Sequence, residues 1–189
     1  MDGLEMCRRA LGNTERIVAA VRDDQVGDPT PCAGWDVRAL IEHLIDGNWT
    51  FAALAAGGGM PESVAYRHEY ATGDRVADYR HSVQLTLEAW EKPGVMDASL
   101  DSPFGPMLGS RLIRLHGLEQ LVHGWDLAKA TGQGTTLGID LVEVAYALAT
   151  QLPMNRIRSL PNPLFGPEVP VGGGATLQDR LLGLLGRNP

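Results

Sequence analysis

SRLIRLHGLEQLVHGWDLAKATG runs from Ser110 to Gly132. At ~100° per residue on a helix, His116, Glu119 and His123 fall within one sector about 60° wide. The spacings of three and four residues stack these side chains one turn apart. Leu112, Leu127 and Ala130 share the sector, and Ile113, Leu115 and Val122 flank it. Three ionisable groups therefore lie in the stripe that should face a core. An unpaired carboxylate buried there costs several kcal/mol or takes up a proton. Two arrangements resolve the conflict. A divalent cation uses neutral imidazoles and an ionised carboxylate together. A hydrogen-bonded Glu–His network also satisfies them.

One helix can supply two ligands at i and i+4, as H-E-x-x-H does. Here that pair is Glu119 and His123. A third ligand must come from a facing helix. RALIEHLIDG (Arg38 to Gly47) offers His43, at the edge of an apolar stripe between Leu40 and Leu44, with Gly47 leaving space one turn on. The expected metal set is His43, Glu119 and His123. Three protein ligands leave a position open for water or substrate, the catalytic rather than the structural pattern. Zinc suits these donors best, and nickel or ferrous iron also accepts two histidines and a carboxylate. His116, one turn earlier, reads as a support behind the ligands or a wall of the pocket, with direct ligation as the alternative, and as the one candidate for a catalytic general base.

Helical periodicity continues on both sides. Leu4 to Val21 forms a first helix that stops in DDQVGDPTPCAG. Asp36 caps a second, which carries Val37, Leu40, Ile41, Leu44, Ile45, Asn48 and Phe51 and ends at Gly57-Gly58-Gly59-Met60-Pro61. Asp74 caps a third, with Val76, Tyr79, Val83, Leu87 and Trp90 on one side. Val95 to Gly109 suits a hairpin-like excursion. Ser110 caps the fourth helix, Arg111 to Thr131, and Gly132 ends it. Leu137 to Leu152 makes a fifth, followed by an irregular run with Pro161, Pro163, Pro167 and Pro170. Thr176 to Leu185 is a last short helix. The expectation is one all-α domain over residues 1–189: a four-helix bundle with an additional helix and a short C-terminal helix. Residues 155–189 form its Pro/Gly-rich tail.

Composition agrees. Of 189 residues, 44% are hydrophobic and 21% charged, which excludes disordered and fibrous classes. Sixteen basic residues against 23 acidic ones give a net charge of −7, unsuited to a nucleic-acid module with a broad basic face. No apolar run reaches the ~18 residues of a membrane helix. The N-terminus MDGLEMCRRALGNTERIV has no secretory apolar region, and two cysteines make no disulfide framework. A cytoplasmic protein without nucleic-acid or membrane partners is expected.

Thr30-Pro31-Cys32-Ala33-Gly34-Trp35-Asp36-Val37-Arg38, followed by His43, resembles the start of the mycothiol-dependent maleylpyruvate isomerase N-terminal family, within the DinB/YfiT-like metal-binding bundles. Glu119-Gln120-Leu121-Val122-His123-Gly124-Trp125-Asp126-Leu127-Ala128 resembles its second signature. Phe165-Gly166-Pro167, Gln178-Asp179-Arg180-Leu181 and Gly186-Arg187-Asn188-Pro189 resemble one subgroup. The resemblance implies a four-helix core with a metal in a cleft, held by a histidine on the second helix and an E-x-x-x-H pair on a later one. These positions fall on His43, Glu119 and His123. It further implies a low-molecular-weight thiol, mycothiol, as co-substrate, and isomerisation or transfer at a small electrophile. The residues leave hydrolysis by a metal-activated water open. They also leave open a non-catalytic metal-binding or sensing protein, and a structural bundle with a vacant site.

Other residues take plainer readings. Trp35 and Asp36 are a hydrophobic staple and N-cap. Cys7 and Cys32 are buried or loop cysteines. Asp126 either orients an imidazole or is a solvated or hydrogen-bonding residue near the helix end. Trp49 and Phe51 either line the pocket mouth or, by default, pack in the core, while His68 and His81 are solvated. Leu118, Leu121 and Trp125 lie opposite His116 and His123. A helix apolar on both sides is covered on both sides, by the fifth helix and tail or by a second subunit in a homodimer.

Overall fold

Three long helices open on a short acidic side chain that accepts from their first free amides. In the computed structural model, which describes residues 1–58, 71–102, 105–159 and 165–189, Asp2 caps α1 (Gly3–Ala20) through Glu5 N at 2.8 Å. Asp36 caps α2 (Val37–Ala55) through Ala39 N at 2.8 Å, and Asp74 caps α3 (Arg75–Trp90) through Val76 N and Ala77 N.

The helix carrying His116, Glu119 and His123 starts differently. Ser110 was the expected cap, yet α4 (Gly109–Ala130) begins one residue earlier and has no side-chain cap bond. The hairpin before it takes over that task. β1 (Ser99–Leu100) pairs antiparallel with β2 (Met107–Leu108), the excursion expected there. Gly109 N donates to Ala98 O at 3.0 Å and Ser110 N to Met96 O at 2.8 Å, so backbone carbonyls replace the cap. A Cβ at Gly109 would lie 2.0 Å from Val95 O, which reserves this junction for glycine. α4 ends as expected, with Gly132 at φ +68°.

The chain divides into two compact units, Met1–Gly134 and Thr135–Pro189. In the first, α1 packs on α3 and α4, and α2 packs on α3 and α4, which closes a ring of four helices. Leu11, Val18, Leu40, Leu44, Tyr79, Trp90, Leu112 and Leu127 fill it, each at most 1% exposed. Contact between α1 and α4 is close. A Cβ on Gly117 would stand 3.1 Å from Cys7 Cα, and one on Gly124 would stand 2.4 Å from Thr14 Oγ1. Cys7 is fully buried, as expected, and burial pushes its thiol pKa up.

In the second unit, α5 (Ile139–Ala149) packs on α7 (Leu177–Leu184). α5 is shorter than the expected Leu137–Leu152 because the backbone at Leu137 is drawn to Gln178 Oε1 instead, at 2.8 Å. The expected irregular run contains α6 (Met154–Arg158). Thr176 and Asp179 form a reciprocal capping box at α7. His68, Met60, Pro61, Pro161 and Pro163 lie outside the described residues. Among the described residues, no helix is long and apolar enough to cross a membrane. The fold is all-α, as expected.

Candidate metal centre

The E-x-x-x-H spacing on α4 does its work once α2 lies alongside. His43 Nε2 reaches Glu119 Oε1 at 3.1 Å. The rings of His43 and His123 stand 5.0 Å apart, nearly perpendicular. One donor atom from each of His43, Glu119 and His123 lies within 4.8 Å of the other two. The three side chains are half-buried, so the centre opens to solvent on one side. Gly47 backs Glu119, but a Cβ there would meet Oε1 at an ordinary 3.7 Å, so space does not require glycine.

Glu119 sits between opposing influences. Burial raises its pKa, while the polar contacts and charges of His116 and His43 lower it and win, holding the carboxyl well below its usual range. His116 is wholly buried. Its Nδ1 lies 3.6 Å from Glu119 Oε2, its ring stacks on Phe51 at 4.1 Å, and its Nε2 lies 2.9 Å from Asn48 Oδ1. Asn48 Oδ1 is an acceptor, so Nε2 carries the proton. Gln120 Nε2 donates to the same oxygen at 3.0 Å, Tyr79 OH donates to Gln120 Oε1 at 2.7 Å, and Asn48 Nδ2 donates to Ser82 Oγ at 2.9 Å. This network places His116 behind Glu119, inside the bundle.

His123 is held on its far side by Asp126, whose Oδ2 lies 3.1 Å from Nδ1. Asp126 is fully buried, which removes the solvated reading of this residue. Carboxylate–histidine–metal chains of this kind fix the imidazole and turn its other nitrogen outward.

The matching family model is the mycothiol maleylpyruvate isomerase N-terminal domain, over residues 7–128. The chain belongs to this family. It is 34% identical over 187 residues to the Mycobacterium tuberculosis proteins named uncharacterized protein MT0763 and uncharacterized protein Rv0738, covering 99% of this chain and 98% of each relative. The crystal structure of the mycothiol-dependent maleylpyruvate isomerase shares the fold with a TM-score of 0.65 at 19% identity, over 83% of this chain and 70% of that one. A mutant of that isomerase matches with a TM-score of 0.59 at 17% identity, over 82% and 71%.

In this maleylpyruvate isomerase-like chain, the loop before α2 brings two side chains to the centre that spacing alone assigned elsewhere. Trp35, expected as a staple, lies over His43 with ring centroids 4.5 Å apart and 6.0 Å from His123. Cys32 Sγ lies 3.5 Å from His123 Nδ1 and 3.1 Å from Asp126 Oδ2. Cys32 is a loop cysteine as expected, but a loop cysteine at the site. The loop is tightly folded: Thr30 N and Oγ1 both donate to Trp35 O, Cys32 N donates to Thr30 Oγ1, and Gly34 turns at φ +84°. Gln25 Nε2 ties its start to Thr131 O at the end of α4, at 2.9 Å. A signal existed in the sequence: Cys32 and Trp35 fall inside the first signature. His81 is exposed, as expected, against the half-buried Trp49.

Proposed function

We propose that His43, Glu119 and His123 hold a divalent metal ion, zinc by preference, and that the protein acts with a low-molecular-weight thiol, mycothiol, on a small electrophile as an isomerase or S-transferase. The observation that carries this reading is the meeting of two imidazoles and one carboxylate from two helices. The donor set fits the ion. Ligands on a tetrahedral zinc at 2.0–2.1 Å stand about 3.3–3.4 Å apart, and His43 Nε2 and Glu119 Oε1 stand 3.1 Å apart. When bound, such an ion lowers the proton affinity of a thiol or water in its open position.

The chain's own residues do the rest. Asp126 orients His123, and His43 and His116 keep Glu119 ionised. His116 is a positioning residue in this reading, since its buried ring faces Asn48 and Glu119 and not the opening. Trp35 covers one face of the His43 ring. Cys7 and Cys32 are both unbridged, consistent with the cytoplasm, where thiols stay reduced.

Metal content after purification without added metal, followed by turnover of maleylpyruvate and other electrophiles with mycothiol, tests this. His123→Ala is expected to lose metal and turnover together. A metal-loaded wild type indistinguishable from His123→Ala across the panel would leave the non-catalytic metal-binding reading instead.

A further inference from the structure

Cys32 and Asp126 have no part in the ligand set above, yet both donors converge on the far nitrogen of His123. Cys32 Sγ, His123 Nδ1 and Asp126 Oδ2 lie within 4.8 Å of one another. The three separations are 3.5 Å from sulfur to nitrogen, 3.1 Å from sulfur to oxygen and 3.1 Å from nitrogen to oxygen. Tetrahedral zinc with bonds of 2.3 Å to sulfur and 2.0–2.1 Å to nitrogen and oxygen spaces both sulfur pairs at about 3.5–3.6 Å and nitrogen from oxygen at about 3.3–3.4 Å. The triangle is thus near the size that one ion requires, with shifts of a few tenths of an ångström.

We propose that Cys32, Asp126 and His123 form a second, sulfur-bearing site for a soft divalent cation of the zinc, cadmium or cobalt class. Charge supports it. A thiolate and a carboxylate neutralise a 2+ ion, with imidazole as a neutral third ligand, which is the balance that a largely buried site needs. On binding, the metal–sulfur bond forms, the thiol proton of Cys32 leaves to solvent, and the ring proton of His123 moves from Nδ1 to Nε2 so that Nδ1 presents its lone pair. Cys32 and His123 are half-buried, so a fourth position stays accessible to water or a thiol. A thiolate selects softer ions than the two-histidine, one-carboxylate set does.

A neutral imidazole has a single lone pair. The two sites therefore compete for His123, through Nε2 toward His43 and Glu119 or through Nδ1 toward Cys32 and Asp126. One ion at a time occupies the pair. This site goes beyond the function proposed above and does not depend on its reaction.

His43→Ala disables the first site and isolates the second. Titrated with Co(II), this variant is expected to bind one equivalent and to show the near-ultraviolet sulfur-to-cobalt charge-transfer band. The double variant His43→Ala/Cys32→Ser is expected to lose the band. No band in His43→Ala at saturating cobalt, with helix content and thermal midpoint intact, would overturn the proposal. A band that persists without Cys32 would overturn it too. The Cys32→Ser single variant separates the two readings: it should keep the metal of the first site, so loss of metal only in His43→Ala or only in Cys32→Ser identifies which site failed.

Discussion

His123 faces two ways, and its neighbours decide what each nitrogen does. Asp126 holds Nδ1, which leaves Nε2 for the shared centre with His43 and Glu119. Asp126→Asn replaces a carboxylate acceptor by an amide and is expected to weaken zinc binding by roughly 10–100-fold, read in a chelator-competition titration. An unchanged affinity would remove Asp126 from the centre. Asn48 has an equivalent position for His116, accepting from His116 Nε2 and Gln120 Nε2 and donating to Ser82 Oγ. Asn48→Leu leaves His116 Nε2 without its acceptor, at about 1–3 kcal/mol, while Gln120 Nε2 keeps Leu44 O and Ser82 Oγ keeps Tyr79 O; denaturant unfolding measures the loss. At this scale the sequence was legible on α4 and less so elsewhere. His43, Glu119 and His123 announce themselves by polar chemistry inside apolar stripes, whereas Cys32 and Trp35 sit in a loop with no period to read.

Elements meet through small contacts as much as through large ones. α1 lies close enough to α4 that Gly124 touches Thr14, whose Oγ1 donates to Gln120 O at 2.8 Å. Gly124→Ala is expected to cost about 1–3 kcal/mol through overpacking. Gly47→Ala, where the added carbon finds ordinary contact, should be neutral or gain up to about 1 kcal/mol from helix propensity. Equal effects of the two substitutions on the urea midpoint would contradict this geometry. Asp74 caps α3 through two backbone amides that hold its pKa below the ordinary 3.8. A depressed carboxyl stabilises the fold above its unfolded value and loses that contribution as pH falls through the lower folded one. The stability gap between wild type and Asp74→Ala should therefore be constant above about pH 5 and close below pH 3.8. A gap that does not narrow as pH falls below 3.8 would rule out the charged cap. Helix caps at Asp36 and Asp74 were readable because capping is local. The start of α4 was not, because its first amides pair with a hairpin that sequence spacing cannot dock.

For the molecule, the candidate centre joins two helices of the bundle, since His43 lies on α2 and Glu119 and His123 on α4. An ion that binds only the folded chain stabilises it by about 2.7 kcal/mol at one hundred times its dissociation constant. For a chain of this length that raises the midpoint of the metal-binding unit by roughly 5–11 °C. Differential scanning with and without zinc should show the rise in wild type and its loss in His123→Ala, which removes a donor from both groups. A midpoint indifferent to zinc would count against any ion at this centre.

Periodicity alone established that the chain is helical and that Glu119 and His123 share a face with a core, because a 100° step per residue is a property of the local backbone. Composition alone set the chain apart from fibrous and disordered classes. Only the tertiary structure decided that the Thr30–Asp36 loop folds back on α4 and sets Cys32 beside Asp126 and His123. That path depends on hydrogen bonds between residues about a hundred positions apart, such as Gln25 to Thr131, and contacts so distant leave no regular spacing in the chain.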